Sequence, residues 1–232
     1  MPFPTTAAIG LSLLAAILST PPAVEITAEP DHHLALENKY VRAFQVEVPP
    51  HTATLAHHHA HDYVFVSLGA TDVENDVEGK APVTLKLTDG ETRFTAGNFS
   101  HIARNLSDHP FRNVTIELLQ GDRGDKSAAK WDEERGVSVL EGGTRDVLFV
   151  KDGARVSEVQ LQPGASFPKH THPGPYLLVA VTDLHLRSTI AGKTPAIFET
   201  KSGALSWVPD ATTHAVTNTG TSPARFILLE FQ

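Results

Sequence analysis

Apolar and polar residues alternate in short runs along most of this 232-residue chain. Residues 42–48 (RAFQVEV), 63–68 (YVFVSL), 155–161 (RVSEVQL) and 225–231 (RFILLEF) are rich in β-branched and aromatic side chains and have a period near two. That is the pattern of strands with at least one face turned to a core. Gly, Pro, Asn and Asp break the runs at intervals of about ten residues. No long stretch carries the 3.6-residue period of an amphipathic helix, so the pattern predicts an all-β sandwich or barrel.

The runs recur at a fixed distance. Displaced by 113 positions, residues 24–119 align with 137–232 without a gap, and 17 of the 96 pairs are identical, where chance gives roughly six. The identities include Val24/Val137, Arg42/Arg155, Pro50/Pro163, Gly79/Gly192, Pro82/Pro195, Gly90/Gly203, Pro110/Pro223 and Glu117/Glu230. The chain is therefore read as an internal duplication, with one domain over 24–119, a polar linker over 120–136 and a second domain over 137–232. Residues 7–18 form an apolar run of 12 that is too short for a membrane span and has the length of a signal-peptide core. With Ala23 as a cleavage point, residues 1–23 are expected to be a signal peptide and the protein periplasmic or secreted. The first basic residue is Lys39, which runs against that reading.

Charge and composition narrow the function. The net charge of −8 and the lack of a basic run argue against nucleic acid as a partner. With no cysteine there is no disulfide, thiolate ligand or thiol nucleophile, so a metal would be held by His, carboxylate or Tyr. No G-x-S-x-G, P-loop, G-x-G-x-x-G or H-E-x-x-H pattern is present.

Three histidines stand at matched positions in each copy: His57, His59 and His101, then His170, His172 and His214. An i, i+2 pair on a strand turns both imidazoles to one face, here the inward one. A third imidazole from a strand some forty residues later completes one face of a coordination sphere, with positions left open for water, substrate or O2. In the first copy His61 shares the parity of His57 and His59, which makes it a candidate fourth ligand or proton-transfer group. Its counterpart is Gly174, between Pro173 and Pro175, and a turn there would instead place His61 at the rim. His32, His33, His51, His109 and His185 have no partner in the other copy and are expected at the surface. Glu117 and Glu230 are expected in structural ion pairs, with Arg112 and Arg225 as partners.

In these positions the chain resembles the cupin superfamily. The first cupin motif, G-x5-H-x-H-x3,4-E-x6-G, is matched by Gly164, His170 and His172, with Tyr176 following. The second motif, G-x5-P-x-G-x2-H-x3-N, is matched by Gly203, Pro209, Ala211, His214 and Asn218. The first copy reads His51, His57, His59 and Tyr63, then Gly90, Ala96, Asn98, His101 and Asn105. The resemblance implies two tandem double-stranded β-barrels, a bicupin, with one divalent metal, Fe(II), Mn(II) or Zn(II), held by each triad. Asn105 and Asn218 are expected to orient a strand end.

One departure bears on the chemistry. Where the superfamily usually adds a glutamate ligand, both copies have tyrosine, Tyr63 and Tyr176, so the sites lack their usual anionic ligand. Oxalate-type chemistry is thereby disfavoured. The resemblance fits instead the three-histidine cupins and a non-haem oxygenase acting on a small organic substrate; His61, by its strand parity, and Tyr63 and Tyr176 are the candidate catalytic residues, the alternative for the tyrosines being that they fill the barrel mouth. A metal-dependent lyase or isomerase and a non-catalytic binding bicupin stand as alternatives. If the copies have specialised, the first is the catalytic one; a homodimer is implied by the resemblance alone.

Overall fold

The computed structural model describes residues 22–120, 136–151 and 153–231. The expected signal peptide, apart from Pro22 and Ala23, lies outside these residues, as does the linker apart from Gln120 and Gly136. The described chain is built of strands, with one turn of 3-10 helix at Ile26–Ala28. The strands of the first half are β1 (Val24–Glu25), β2 (His32–Glu37), β3 (Val41–Val48), β4 (His57–His59), β5 (Tyr63–Ser67), β6 (Thr71–Val77), β7 (Val83–Leu87), β8 (Thr92–Thr95), β9 (Phe99–Asn105) and β10 (Phe111–Leu118). They form two facing sheets, in the orders β1-β4-β9-β6-β7 and β2-β3-β10-β5-β8.

The second half repeats the plan with β11 (Gly136–Leu140), β12 (Gly143–Lys151), β13 (Ala154–Leu161), β14 (Ser166–His172), β15 (Tyr176–Ala180), β16 (Leu184–Thr189), β17 (Ala196–Thr200), β18 (Leu205–Val208), β19 (Thr212–Asn218) and β20 (Ala224–Phe231). Its sheets run β11-β12-β13-β20-β15-β18 and β14-β19-β16-β17. The offset of 113 holds at both ends for β3/β13, β5/β15, β7/β17, β8/β18, β9/β19 and β10/β20. This is the all-β fold of two tandem double-stranded barrels.

The copies differ at their starts. β1 pairs in parallel with β4, beside the His57–His59 pair, whereas β11 folds back antiparallel on β12. The position of Glu29 is held in the second copy by Gly142, whose φ of 77° suits the tight β11–β12 turn. Glu29 is instead buried and ties down the 3-10 segment.

Three apolar clusters hold the molecule together. One fills the first barrel around Phe44, Val46, Val48 and Phe111, and a second fills the other around Leu161, Phe226 and Leu228. The third lies between the barrels and draws on both: Val41, Ala43, Val64, Val66, Val114 and Ile116 meet Val156, Leu177, Val179, Ile227, Leu229 and Phe231. Strands β3, β5, β10, β13, β15 and β20 therefore bury both faces, one into their own barrel and the other against its twin. That explains runs such as FILLEF, in which alternation fades into continuous apolar sequence.

Candidate metal centres

Each triad is assembled by an antiparallel pairing in the sheet that does not contribute to the shared core. β4 sets His57 opposite His101 on β9, and His59 follows two residues on; β14 sets His170 opposite His214 on β19, with His172 two on. In the first barrel the Nε2 atoms of His59 and His101 are 3.1 Å apart and those of His101 and His57 are 3.0 Å apart. In the second, His170 and His172 Nε2 are 3.0 Å apart, and His172 and His214 are 3.2 Å apart.

The outer ring nitrogens decide what these contacts mean. His57 Nδ1 lies 2.9 Å from the Leu55 carbonyl and His170 Nδ1 2.7 Å from that of Pro168; both oxygens only accept, so both Nδ1 atoms carry the proton. His101 Nδ1 meets Asn75 Oδ1 at 2.6 Å, His172 Nδ1 meets Glu230 Oε1 at 2.7 Å, and His214 Nδ1 meets Ser188 Oγ at 2.9 Å. In each barrel one pair, His57/His101 and His170/His172, thus has its protons held outside and its Nε2 lone pairs facing each other, which is repulsive unless a cation stands between them. Burial, the largest cause, together with neighbouring imidazoles, holds His57 at about 4, His59 at about 2 and His101 at about 3; burial likewise holds His170 and His214 at about 4. At neutral pH these rings have no proton to shed before ligating. Each triad is thus able to hold a divalent metal ion.

The matched tyrosines stack on the second histidine of each triad. Tyr63 lies 4.3 Å from the His59 ring at 20°, with Phe99 on the same ring at 5.5 Å; Tyr176 lies 4.1 Å from His172 at 30°. Burial pushes Tyr63 up to about 12 against the pull of a hydrogen bond with Thr95, and burial plus the Glu230 charge pushes Tyr176 up to about 12. Both are neutral phenols that fix a ring plane.

His61 is placed differently. β4 ends at His59, and the chain bends through His61 and Asp62 before β5, so the strand parity that would carry His61 inward stops short of it. Asp62 Oδ1 accepts the Gly97 N–H at 2.7 Å, and a Cβ on Gly97 would strike the His61 carbonyl. His61 is half-buried in this clasp and does not line the cavity.

His32, expected at the surface, is instead at the site. Its side chain is 5% exposed, lines the first cavity and packs 4.6 Å from the His57 ring, while its Nδ1 meets Glu29 Oε2 at 2.6 Å. The hairpin places it there: β2 pairs with β3, and His32 faces Val46, whose side chain points inward. His33, His51, His109 and His185 are exposed.

Glu117 and Glu230 also find partners other than Arg112 and Arg225. Glu117 pairs with Arg42, whose Nε is 2.7 Å away, and Glu230 with Arg155, at 2.8 and 3.0 Å, and with Arg145 at 3.3 Å. β10 pairs with β3 and β20 with β13 so that each glutamate lies directly across from the matched arginine, and that cross-strand address fixes the choice. Burial alone would raise Glu230; the His172 and Arg155 hydrogen bonds outweigh it and hold the carboxyl at about 2. Asn105 and Asn218 tie strand ends together, donating to carbonyls of Val48 and His109 and of Leu161 and Ser222.

The cavities beside the triads are unequal, about 640 Å³ in the first barrel and about 220 Å³ in the second.

Residues 157–230 match the family described as Cupin domain. No curated protein matches the sequence. Among solved structures, oxalate decarboxylase from Bacillus subtilis at pH 4.6 superposes with a TM-score of 0.60 at 13% identity, over 87% of this chain and 74% of that one. A structure from a study of the Mn(II) centres of the Bacillus subtilis enzyme gives 0.59 at 13% identity, over 87% and 75%. One from work on substrate binding and reaction specificity in oxalate decarboxylase gives 0.61 at 14%, over 87% and 75%. These likenesses show a shared fold.

Proposed function

We propose that this chain is a bicupin of the cupin superfamily and a metal-dependent enzyme, with the first barrel as its catalytic chamber for a small organic substrate. The observation that carries this reading is the convergence of three Nε2 atoms in each barrel, with the larger of the two cavities beside the first triad. When bound, a divalent transition metal supplies a Lewis-acidic centre and, for iron or manganese, one-electron chemistry with O2.

The protein's own part is positioning. Leu55 and Asn75 fix the tautomers of His57 and His101, Tyr63 and Phe99 fix the plane of His59, and the buried walls exclude water. Three neutral imidazoles with no carboxylate leave one face of the site open, the arrangement suited to a non-haem oxygenase. A lyase or isomerase is the second reading, favoured by the Glu29–His32 pair. Glu29 holds His32 Nδ1, leaving Nε2 as the ring atom free to exchange a proton with substrate in the cavity. The apolar run at residues 7–18 supports an exported, periplasmic or secreted protein, which N-terminal sequencing of the mature chain tests.

The test is metal content per chain, by elemental mass spectrometry on untagged protein, for wild type, His57→Ala/His59→Ala and His170→Ala/His172→Ala. One or two equivalents, lost barrel by barrel, support the reading; folded protein without metal sinks it. Loss of turnover under anaerobic conditions separates oxygenase from lyase.

A further inference from the structure

The duplication allows the two cavities to be compared position by position, and at four lining positions the first is polar where the second is apolar. Asn113 and Thr115 on β10 correspond to Phe226 and Leu228 on β20, Thr54 to Phe167, and Thr95 to Val208, all lining their respective cavities. At each of these positions the first barrel has a polar side chain and the second an apolar one, bulkier at all but Thr95/Val208, where the two are of equal size. The framework strands match, so these substitutions make the wall of the first chamber more polar and, at Thr54, Asn113 and Thr115, leave more room.

A polar wall inside a barrel is costly unless something satisfies it. Asn113 and Thr115 are buried, and the Thr115 hydroxyl donates to Asn113 Oδ1 at 3.0 Å. That leaves the two Asn113 amide protons and the Thr115 oxygen lone pairs for whatever fills the space. Charge points the same way. Among the described residues no Asp or Glu lines this cavity, while Lys80 and Arg93 do, and the three imidazoles are ligands that bring no negative charge to offset a metal dication. Arg93 is paired with Glu91, and Lys80 is exposed.

From this contrast we propose that the first barrel binds a hydroxylated organic acid, its anionic end toward the triad and its oxygen-bearing chain hydrogen-bonded by Asn113 and Thr115. This rests on the reading of the triads as metal sites given above. The second barrel, closed by Phe226, Leu228 and Phe167, excludes such a ligand. A cavity of about 640 Å³ lies in the range that encloses small-molecule ligands.

Isothermal titration of Zn(II)-loaded protein with gluconate, hexanoate and sorbitol tests the assignment. The three have equal carbon counts; hexanoate lacks the hydroxyls and sorbitol lacks the charge. Metal stoichiometry is read before any ligand is added. Wild type is expected to bind gluconate at least about tenfold more tightly than either of the others, the worth of one or two satisfied hydrogen bonds. Asn113→Phe/Thr115→Leu, which installs the second barrel's residues, should keep its Zn(II) and lose that preference. Phe226→Asn/Leu228→Thr, which does not depend on the first variant's folding, should gain a second gluconate equivalent. Equal binding of hexanoate, binding of none of the three to metal-loaded protein, or an unchanged preference in the Asn113→Phe/Thr115→Leu protein overturns the assignment while leaving the metal sites standing. Failure to take up Zn(II) overturns the metal reading, and this inference with it.

Discussion

The residue that does most to separate the two triads is a glutamate that touches no metal position. In the second barrel Glu230 accepts from His172 Nδ1 and is held from behind by Arg155 and Arg145. In the first barrel the corresponding atoms, His59 Nδ1 and Glu117 Oε1, are both buried without a partner among the described residues. A ligand whose far nitrogen is fixed by a carboxylate is better oriented and more basic, an effect of about 10- to 100-fold in metal affinity. Glu230→Gln in the His57→Ala/His59→Ala background should therefore weaken Zn(II) binding at the second triad by that factor, as read by chelator competition. In wild type the same competition should strip the first barrel before the second. Simultaneous release of both equivalents would count against the role given to Glu230.

Acid acts on the same residues. Five cluster imidazoles have folded values well below the ordinary 6.5, with burial the largest cause in each. Between those values and 6.5 the unfolded chain binds protons that the folded chain does not, so stability rises with pH there and falls as pH drops. The urea midpoint of the metal-free protein should be lower at pH 5 than at pH 7. Metal at saturation should raise the midpoint at both pH values without closing the gap, because the gap arises from proton uptake by the unfolded chain.

At the level of elements, the glycines kept in both copies serve two purposes. Gly79 and Gly192, with φ of 75° each, sit in open turns where a Cβ would meet nothing within 4 Å. Gly90 and Gly203 also have positive φ, and they face the opposite barrel: a Cβ on Gly203 would come within 2.9 Å of Leu68 and 3.3 Å of Arg112, and one on Gly90 would meet Arg225. Gly79→Ala should cost about 1 kcal/mol, the backbone term alone. Gly203→Ala should cost measurably more in the same urea titration, and equal costs would mean the contact between barrels yields freely. Sequence showed these glycines as identities without showing which face a neighbour. The same limit explains other hits and misses. Strand period and the 113-residue offset were local signals, so β3, β5, β13 and β20 and both triads were legible. His32 was not, because its inward place depends on a hairpin register that is displaced between Leu34 and Leu36. His61 looked inward because parity assumes that a strand continues, and this one bends.

For the whole molecule, the decisive feature is the core shared by the barrels. Sixteen buried residues from both halves form one cluster, and its edges are pinned by pseudo-symmetric hydrogen bonds: Arg112 donates to the Ser202 carbonyl at 3.3 Å, and Arg225 to that of Asp89 at 3.1 Å, equivalent pairs in the duplication. Gln45 adds a bond to the Gly203 carbonyl at 2.8 Å. A half separated from its twin would expose the outer faces of three central strands, a contiguous apolar surface that soluble monomers rarely present. The halves are therefore expected to unfold as one unit even though each encloses its own metal site. Calorimetric and van't Hoff enthalpies should agree for the metal-free chain. Leu177→Ala, cut from the shared cluster, should cost about 2–5 kcal/mol and lower a single transition. Because the cluster belongs to both barrels, that substitution in the second half should also loosen the first, visible as faster hydrogen exchange in β10. Two transitions, with only the later half displaced by the mutation, would show that the barrels are packed together yet energetically separate.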